Sequence, residues 1–355
     1  MTDNHNNDTI DEPVDTTFFN KNKNTIIKHL VISGGSVNGL LMYGALKCCN
    51  QQQPPVWMRD NLTSIYATSV GTMIATMICI GFDWETLDTY IIHRPWKDVF
   101  AISGEMLFNS YSKKGIFNAD IITDIFRPLL LSKNLPITVT FAELYAIYPI
   151  ELHFFSFDIN AFEQIDISHL TFPNLPVLTG IAMSSALPGF FTPIFIPATS
   201  PHYSENRNKC FIDGGIRLNY PLSKCIEKYP NRQEILGITI ESHNFEMNNA
   251  GINGAAAASD SSSSSEKTNN NNCISPESNI LEYFVEFTSK IMRFLDNLAP
   301  NIAIPYEIRC VSQATLFDFD KCSDIIQSAN ARKLWIEQGI KDATYQLKQF
   351  AKNTK

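Results

Sequence analysis

Apolar positions along residues 26–46 run as a short block, Leu30-Val31-Ile32, and then recur at helical spacing as Leu40, Leu41, Ala45 and Leu46. Between block and helix lies a glycine-rich stretch, so the pattern predicts strand, loop, helix. A second unit repeats it: Leu62 to Tyr66 is short and β-rich, and Met73, Ile74, Met77 and Ile78 follow at helical spacing. Gln51 to Pro55 ends the first helix, and Phe82 to His93 predicts another with Asp83 and Glu85 at its start. Ile121, Ile122, Ile125, Phe126 and Leu129 fall on one side of a helix over 119–131. Thr140 to Leu144 reads as a short capped helix, and Glu151 to Asp158, Ile235 to Glu241 and Tyr306 to Val311 read as strands. Ser103 to Asn118 carries Gly104, Gly115 and Lys113-Lys114 and reads as a surface loop. The chain ends in an apolar helix over 280–298 and an amphipathic helix, or helix pair around Gly339, over 323–350.

Strands that alternate with helices predict an α/β fold with a mostly parallel central sheet between helical layers, a three-layer α/β/α domain. Residues 1–24 are polar and without periodicity, so a disordered tail is expected there. Ala255 to Ala258, Ser261 to Ser265 and Asn269 to Asn272 mark a low-complexity insertion over 246–279. The expected organisation is a core over 25–245, that insertion, and a strand and helices over 280–355 completing the same domain.

The net charge of −8 and the pI near 5.4 give no basic footprint for nucleic acid. They also argue against standing electrostatic attachment to an anionic membrane. Eight cysteines without finger spacing suit reduced thiols, and no apolar run approaches the ~18 residues of a membrane span. Met1 to Asn24 resembles neither a signal nor a transit peptide. A soluble cytoplasmic protein, at most peripheral on membranes, is the expectation.

Chemistry concentrates at three places. Ala67-Thr68-Ser69-Val70-Gly71 lies where strand becomes helix, with small residues on either side of the serine. A nucleophile elbow needs that context, because its turn is sharp and strand and helix approach closely. The turn would set Ser69 Oγ at the positive end of the following helix, although a serine N-cap is the ordinary alternative. Upstream, Gly34-Gly35-Ser36-Val37-Asn38-Gly39 would leave backbone N–H groups free to face an anion. Downstream, Asp213-Gly214-Gly215 puts a carboxylate at the end of a short apolar run.

In that order these motifs resemble the patatin-like phospholipase family: a glycine-rich oxyanion loop, a G-x-S-x-G elbow about thirty residues on, and a distant D-G-G or D-G-A. Ser184-Ser185-Ala186-Leu187-Pro188-Gly189-Phe190-Phe191 and Asn219-Tyr220-Pro221 resemble further stretches of the family. The likeness covers roughly residues 26–245. The elbow opens with Ala67 instead of glycine, Ser36 replaces a loop glycine, and Asn38 stands where the family usually has a basic residue. The resemblance implies a lipid acyl hydrolase with Ser69 as nucleophile and Asp213 as its base, without an intervening histidine. It also implies an oxyanion hole from Gly34, Gly35, Ser36 and Gly39, centred on Gly35 and Ser36. Ala67, Gly71, Gly214 and Gly215 would support the turns. A phospholipid or other acyl lipid would be the substrate, with transient contact at a membrane surface and no metal or organic cofactor.

Three alternatives stay open at this point. Ser69, Asp213 and His243 follow the chain order of an α/β-hydrolase triad, although one strand–helix–strand unit between glycine loop and serine is short for that fold. Gly34 to Gly39 partly matches a dinucleotide fingerprint, but Ser36 occupies its second glycine and Asp60 precedes the strand it should follow. A lipid-binding scaffold without catalysis is the third. Ser184 and Ser185 read as capping or packing residues, and Leu187, Phe190 and Phe191 as one wall of an acyl pocket.

Overall fold

The computed structural model describes residues 14, 16, 26–197, 208–242, 276, 280–297, 302–312 and 319–353. The first half runs β1 (His29–Ile32), α1 (Gly39–Gln51), β2 (Ser64–Thr68), α2 (Val70–Ile80), α3 (Trp84–His93), α4 (Trp96–Val99) and α5 (Gly104–Lys113). It continues through β3 (Gly115–Phe117), α6 (Asp120–Ser132), α7 (Phe141–Ile147), β4 (Glu151–Asp158), β5 (Glu163–Ile167) and α8 (Val177–Ser184). Then come β6 (Gly189–Phe191), β7 (Ile194–Ile196), β8 (Lys209–Asp213), α9 (Leu222–Lys228) and β9 (Ile235–Ser242). α10 (Ile280–Asn297), β10 (Tyr306–Ser312), α11 (Phe319–Gln327) and α12 (Ala329–Asn353) complete the described chain.

The main sheet has the order β10-β9-β1-β2-β4-β8-β7, with β5 also on β4. The pairs from β10 across to β4 are parallel; β5, β7 and β8 join antiparallel. Strand alternation divides the core. Leu30 and Ile32, Ile65 and Ala67, Phe154, and Leu236 and Ile238 enter one apolar layer, while Val31, Tyr66, Phe155 and Ile235 enter another with Leu222 and Cys225 of α9. A sheet buried on both faces must read as near-continuous apolar runs, which is what these strands show. The mixed α/β class with a mostly parallel sheet flanked by helices therefore holds.

α6 buries all five residues expected on its inner side, and α7 starts with a complete Thr140–Glu143 capping box. Two expectations need correction. Residues 103–118 are not a loop: Ser103 Oγ accepts the Met106 N–H and starts α5, Lys114 ends it in a left-handed conformation, and Gly115 enters β3. The C-terminal break falls at Ser328 between α11 and α12, not around Gly339. Gly339 lies within α12, where a Cβ would fall on the Leu41 carbonyl of α1, so its glycine serves close helix packing. The expectations for 1–24 and 246–279 lie outside the described residues except for Val14, Thr16 and Pro276. Val14 and Thr16 are buried, and their backbone N–H and hydroxyl donate to Gln52 Oε1 and Pro54 O. No helix among the described residues is long and apolar enough to cross a membrane.

Candidate active site

Strand register brings distant residues together. One edge of β4 is used twice: Thr68, the last residue of β2, pairs with Phe155, and Asp213, the last of β8, pairs with the next residue, Ser156. The two strand ends thus abut where the parallel strands finish, the position at which open α/β sheets build their sites. Ser69 Oγ donates a 2.6 Å hydrogen bond to Asp213 Oδ2 across 144 positions of sequence.

Ser69 has φ 53° and ψ −128°, a conformation that strains a residue bearing a Cβ. Several bonds hold it there. Its N–H donates to Ser184 Oγ (3.0 Å), which itself donates to Phe155 O (2.6 Å). Its carbonyl accepts from the N–H and hydroxyl of Thr72, at 2.8 and 2.7 Å. Gly71 is confined by β1, since a Cβ would stand 2.7 Å from Ser33 O and 2.8 Å from Ile32 O. Ala67 is fully buried in β2. Ser184 escapes sequence reasoning as a site residue: its partners are remote, and the S-S-A-L-P-G-F-F likeness was the only pointer to it.

Asp213 is buried at 2% exposure. Gly215 N–H donates to its Oδ1 at 2.7 Å, so both oxygens are occupied. Burial pushes the carboxyl up to about 6, against the opposing pull of the hydrogen bonds from Ser69 and Gly215. Gly214 has no room for a side chain, because a Cβ would meet Phe155 O. A carboxylate raised to that range is a stronger base than an exposed one, and it already accepts the hydrogen bond of the serine hydroxyl.

The glycine loop divides into used and free donors. Gly34 N–H donates to Asn219 O at 3.0 Å, and Gly39 N–H turns back to Ser36 O and Val37 O. The assignment of Gly34 and Gly39 as oxyanion donors is therefore corrected: both amides are engaged. Gly34 instead lets the loop approach Ser69, with its Cβ position 3.2 Å from Ser69 Cβ. The amides of Gly35 and Ser36 give no hydrogen bond to another described residue. Ser36 takes φ 51°, the left-handed conformation that glycine adopts readily. Asn38 is buried and accepts from Ser312 Oγ of β10, so a neutral contact anchors the loop there.

His243 lies outside the described residues. The direct Ser69–Asp213 bond leaves no gap for an imidazole between hydroxyl and carboxylate. His29 opens β1 and is bonded to Ser64, and His153 lies within β4, paired with Tyr66 and bonded to Asp166. Asp60 sits on an exposed turn before β2, away from the glycine loop. Leu187, Phe190 and Phe191 cluster with Met292 of α10 and Ile216, and Met292 Cε stands 2.9 Å from the Cβ position of Gly215. An apolar flank thus adjoins the turn that carries Asp213.

Fold and geometry define an α/β protein with a serine–carboxylate pair at a strand–helix elbow. Known proteins place it further. The chain belongs to the patatin-like phospholipase family, whose model matches residues 30–226. It is similar to the uncharacterized protein R571 of Acanthamoeba polyphaga mimivirus, at 24% identity over 61% of this chain and 67% of that protein. It is also similar to the probable lipid hydrolase 463L of Invertebrate iridescent virus 6, at 23% identity over 58% of this chain and 65% of that protein. The chain thus spans about two thirds of the length of these relatives. Among solved structures, VipD from Legionella pneumophila aligns with a TM-score of 0.49 and 15% identity, over 91% of this chain and 67% of that one.

Proposed function

We propose that this protein hydrolyses a carboxylic ester of a phospholipid or related acyl lipid, with Ser69 as nucleophile and Asp213 as the only base. The observation that carries the reading is the direct hydrogen bond from Ser69 Oγ to Asp213 Oδ2. Family membership and the name of the viral relative 463L support lipid hydrolysis in the coarser sense.

As Ser69 Oγ bonds to the ester carbon, its proton passes to Asp213 and the carbonyl electrons move onto oxygen. Even at about 6, a carboxyl group is far more acidic than a serine hydroxyl. Proton transfer must therefore be concerted with carbon–oxygen bond formation, and the oxyanion needs strong support. The amides of Gly35 and Ser36, without a hydrogen-bond partner among the described residues, are the donors for it; loss of one such donor costs about 3–4 kcal/mol of barrier. Collapse breaks the bond to the alcohol, which takes the proton from Asp213. Water then attacks the acyl-Ser69 ester, gives its proton to Asp213, and that proton returns to Ser69 as the fatty acid leaves. Leu187, Phe190, Phe191 and Met292 would receive the acyl chain.

The test is a lipid panel run with wild type, Ser69→Ala, Asp213→Ala and His243→Ala, together with fluorophosphonate labelling of Ser69. Loss of turnover in the first two variants and retention in the third supports the pair. Activity lost with His243→Ala but kept with Asp213→Ala would overturn it in favour of a triad. No labelling and no turnover of any lipid would make the protein a binding scaffold.

A further inference from the structure

Two helices beside the candidate site present apolar faces to solvent. On α10, Tyr283, Phe284, Phe287, Ile291 and Phe294 share an arc of about 100° and are 39–60% exposed, while Ser289 and Met292 on the other side are buried. On α5, Leu107, Phe108 and Tyr111 share one face and are 55%, 88% and 95% exposed. Met106, on the opposite side of α5, packs against the main core. Single exposed apolar residues are ordinary, but eight gathered on two helix faces are not.

The two faces belong to one corner of the molecule. α5 packs on β3, α10 packs on β6, and β3 pairs with β6 in a separate two-stranded ribbon. Phe195, half exposed just beyond that ribbon, carries Lys114 Nζ 5.8 Å above its ring. The corner adjoins the site, because Met292 of α10 rests against Gly215 and clusters with Leu187 and Phe190.

Basic side chains stand at the margin of these faces. Lys113 and Lys114 are exposed at the end of α5, Lys290 lies along α10, and Arg217 is exposed next to Ile216 of the turn on which α10 packs. The acidic residues on the two helices are Glu105, exposed in the first turn of α5, Glu286, ion-paired to Lys290 at 3.3 Å, and Glu282 and Asp296 of α10, whose sequence also carries Arg293. Aromatic rings with basic side chains at their margin suit the boundary between lipid headgroups and acyl chains.

We infer that α5 and α10 form a docking face for an anionic lipid bilayer, with their aromatic residues entering the headgroup boundary and Lys113, Lys114 and Arg217 meeting phosphate. The face would hold the candidate site at the surface from which an acyl lipid must come; in that purpose, though not in its measurement, the inference rests on the proposed hydrolysis.

Flotation of the full chain with vesicles of phosphatidylcholine, with and without phosphatidylglycerol, tests it. Wild type should float, and more strongly with the anionic lipid. Phe287→Ser with Phe294→Ser, and Phe108→Ser with Tyr111→Ser, should each lower partitioning by about tenfold or more with an unchanged melting midpoint. Lys113→Glu with Lys114→Glu should remove the preference for phosphatidylglycerol. Wild type that stays off both vesicles, or apolar-pair variants that float as wild type does, would overturn the inference. A wild-type dimer that Phe287→Ser with Phe294→Ser splits into monomers would also overturn it, since the face would then join two copies. Flotation that follows these expectations in a protein that cleaves no lipid would leave the docking face standing and remove the proposed reaction.

Discussion

Ser69 Oγ and Asp213 Oδ2 stand 2.6 Å apart with nothing between them, and the carboxyl is buried enough to be raised to about 6. A base works only when ionised, so the raised value sets the acid limit of the proposed reaction. kcat/KM should be level above about pH 7, reach half its plateau near 6, and fall towards about tenfold per pH unit below about 5, along a single ionisation. A pH–rate profile on a soluble short-chain ester measures this without interference from vesicles. A limb near 7 that disappears with His243→Ala would show that an imidazole carries the proton instead.

The same burial makes Asp213 costly to the fold. Its carboxyl ionises near 3.8 when exposed and near 6 in place, so between those values the folded chain binds the extra proton. Stability contributed by this group is therefore greatest below about 3.8, declines as pH rises to about 6, and stays low above it. The penalty at neutral pH is on the order of 3 kcal/mol. Asp213→Asn removes the charge while keeping an acceptor for the Gly215 amide. It should abolish turnover and raise the melting midpoint at pH 7.5, with a much smaller gain over wild type at pH 4. Equal gains at both pH values would mean that the ionised carboxylate carries no penalty.

What the sequence made legible follows from how local each cause is. The inner face of α6, the apolar strands β1, β2 and β4, and the capping box of α7 are written in neighbouring residues, because burial and capping impose short spacings. α5 is not legible as a helix because its Leu107, Phe108 and Tyr111 face outward and glycine stands at either end of the stretch. Ser69 and Asp213 could be singled out by motif, but the register that joins them is a property of β4. Ser184 was less accessible still: it binds residues 115 and 29 positions away, and no local pattern distinguishes it from a cap. Which loop amides are engaged depends on Asn219, a tertiary partner of Gly34.

Ser184 therefore invites its own test. Its hydroxyl is the acceptor for the amide of a strained Ser69, and Ser184→Ala would leave that N–H without a partner. An unpaired buried donor costs about 1–3 kcal/mol, and part of that is relieved if the elbow relaxes. Relaxation would move Ser69 Oγ away from its 2.6 Å contact, so kcat should drop about tenfold with little change in KM. Steady-state kinetics and a thermal melt separate the two effects. A lower midpoint with unaltered kcat would make Ser184 a packing residue only.

Gly44 and Gly339 decide a contest between helix propensity and packing. In the interior of an exposed helix, alanine in place of glycine stabilises by about 1 kcal/mol. Here α1 and α12 cross with their backbones in near contact: a Cβ on Gly44 would fall on Ile336 O, and one on Gly339 would fall on Leu41 O. Neither carbonyl belongs to a flexible side chain, so the helices must separate along a seam that includes Leu41, Ala45, Ile336 and Ala343, all buried. Separation loosens that packing, and overpacking of this kind costs about 1–3 kcal/mol. Gly44→Ala and Gly339→Ala should each lower the melting midpoint, and the double variant should lose less than the sum, because one separation accommodates both methyl groups. Chemical denaturation of the two single variants and the pair measures this directly. A midpoint that rises in either single variant would mean that helix propensity prevails and the crossing has slack.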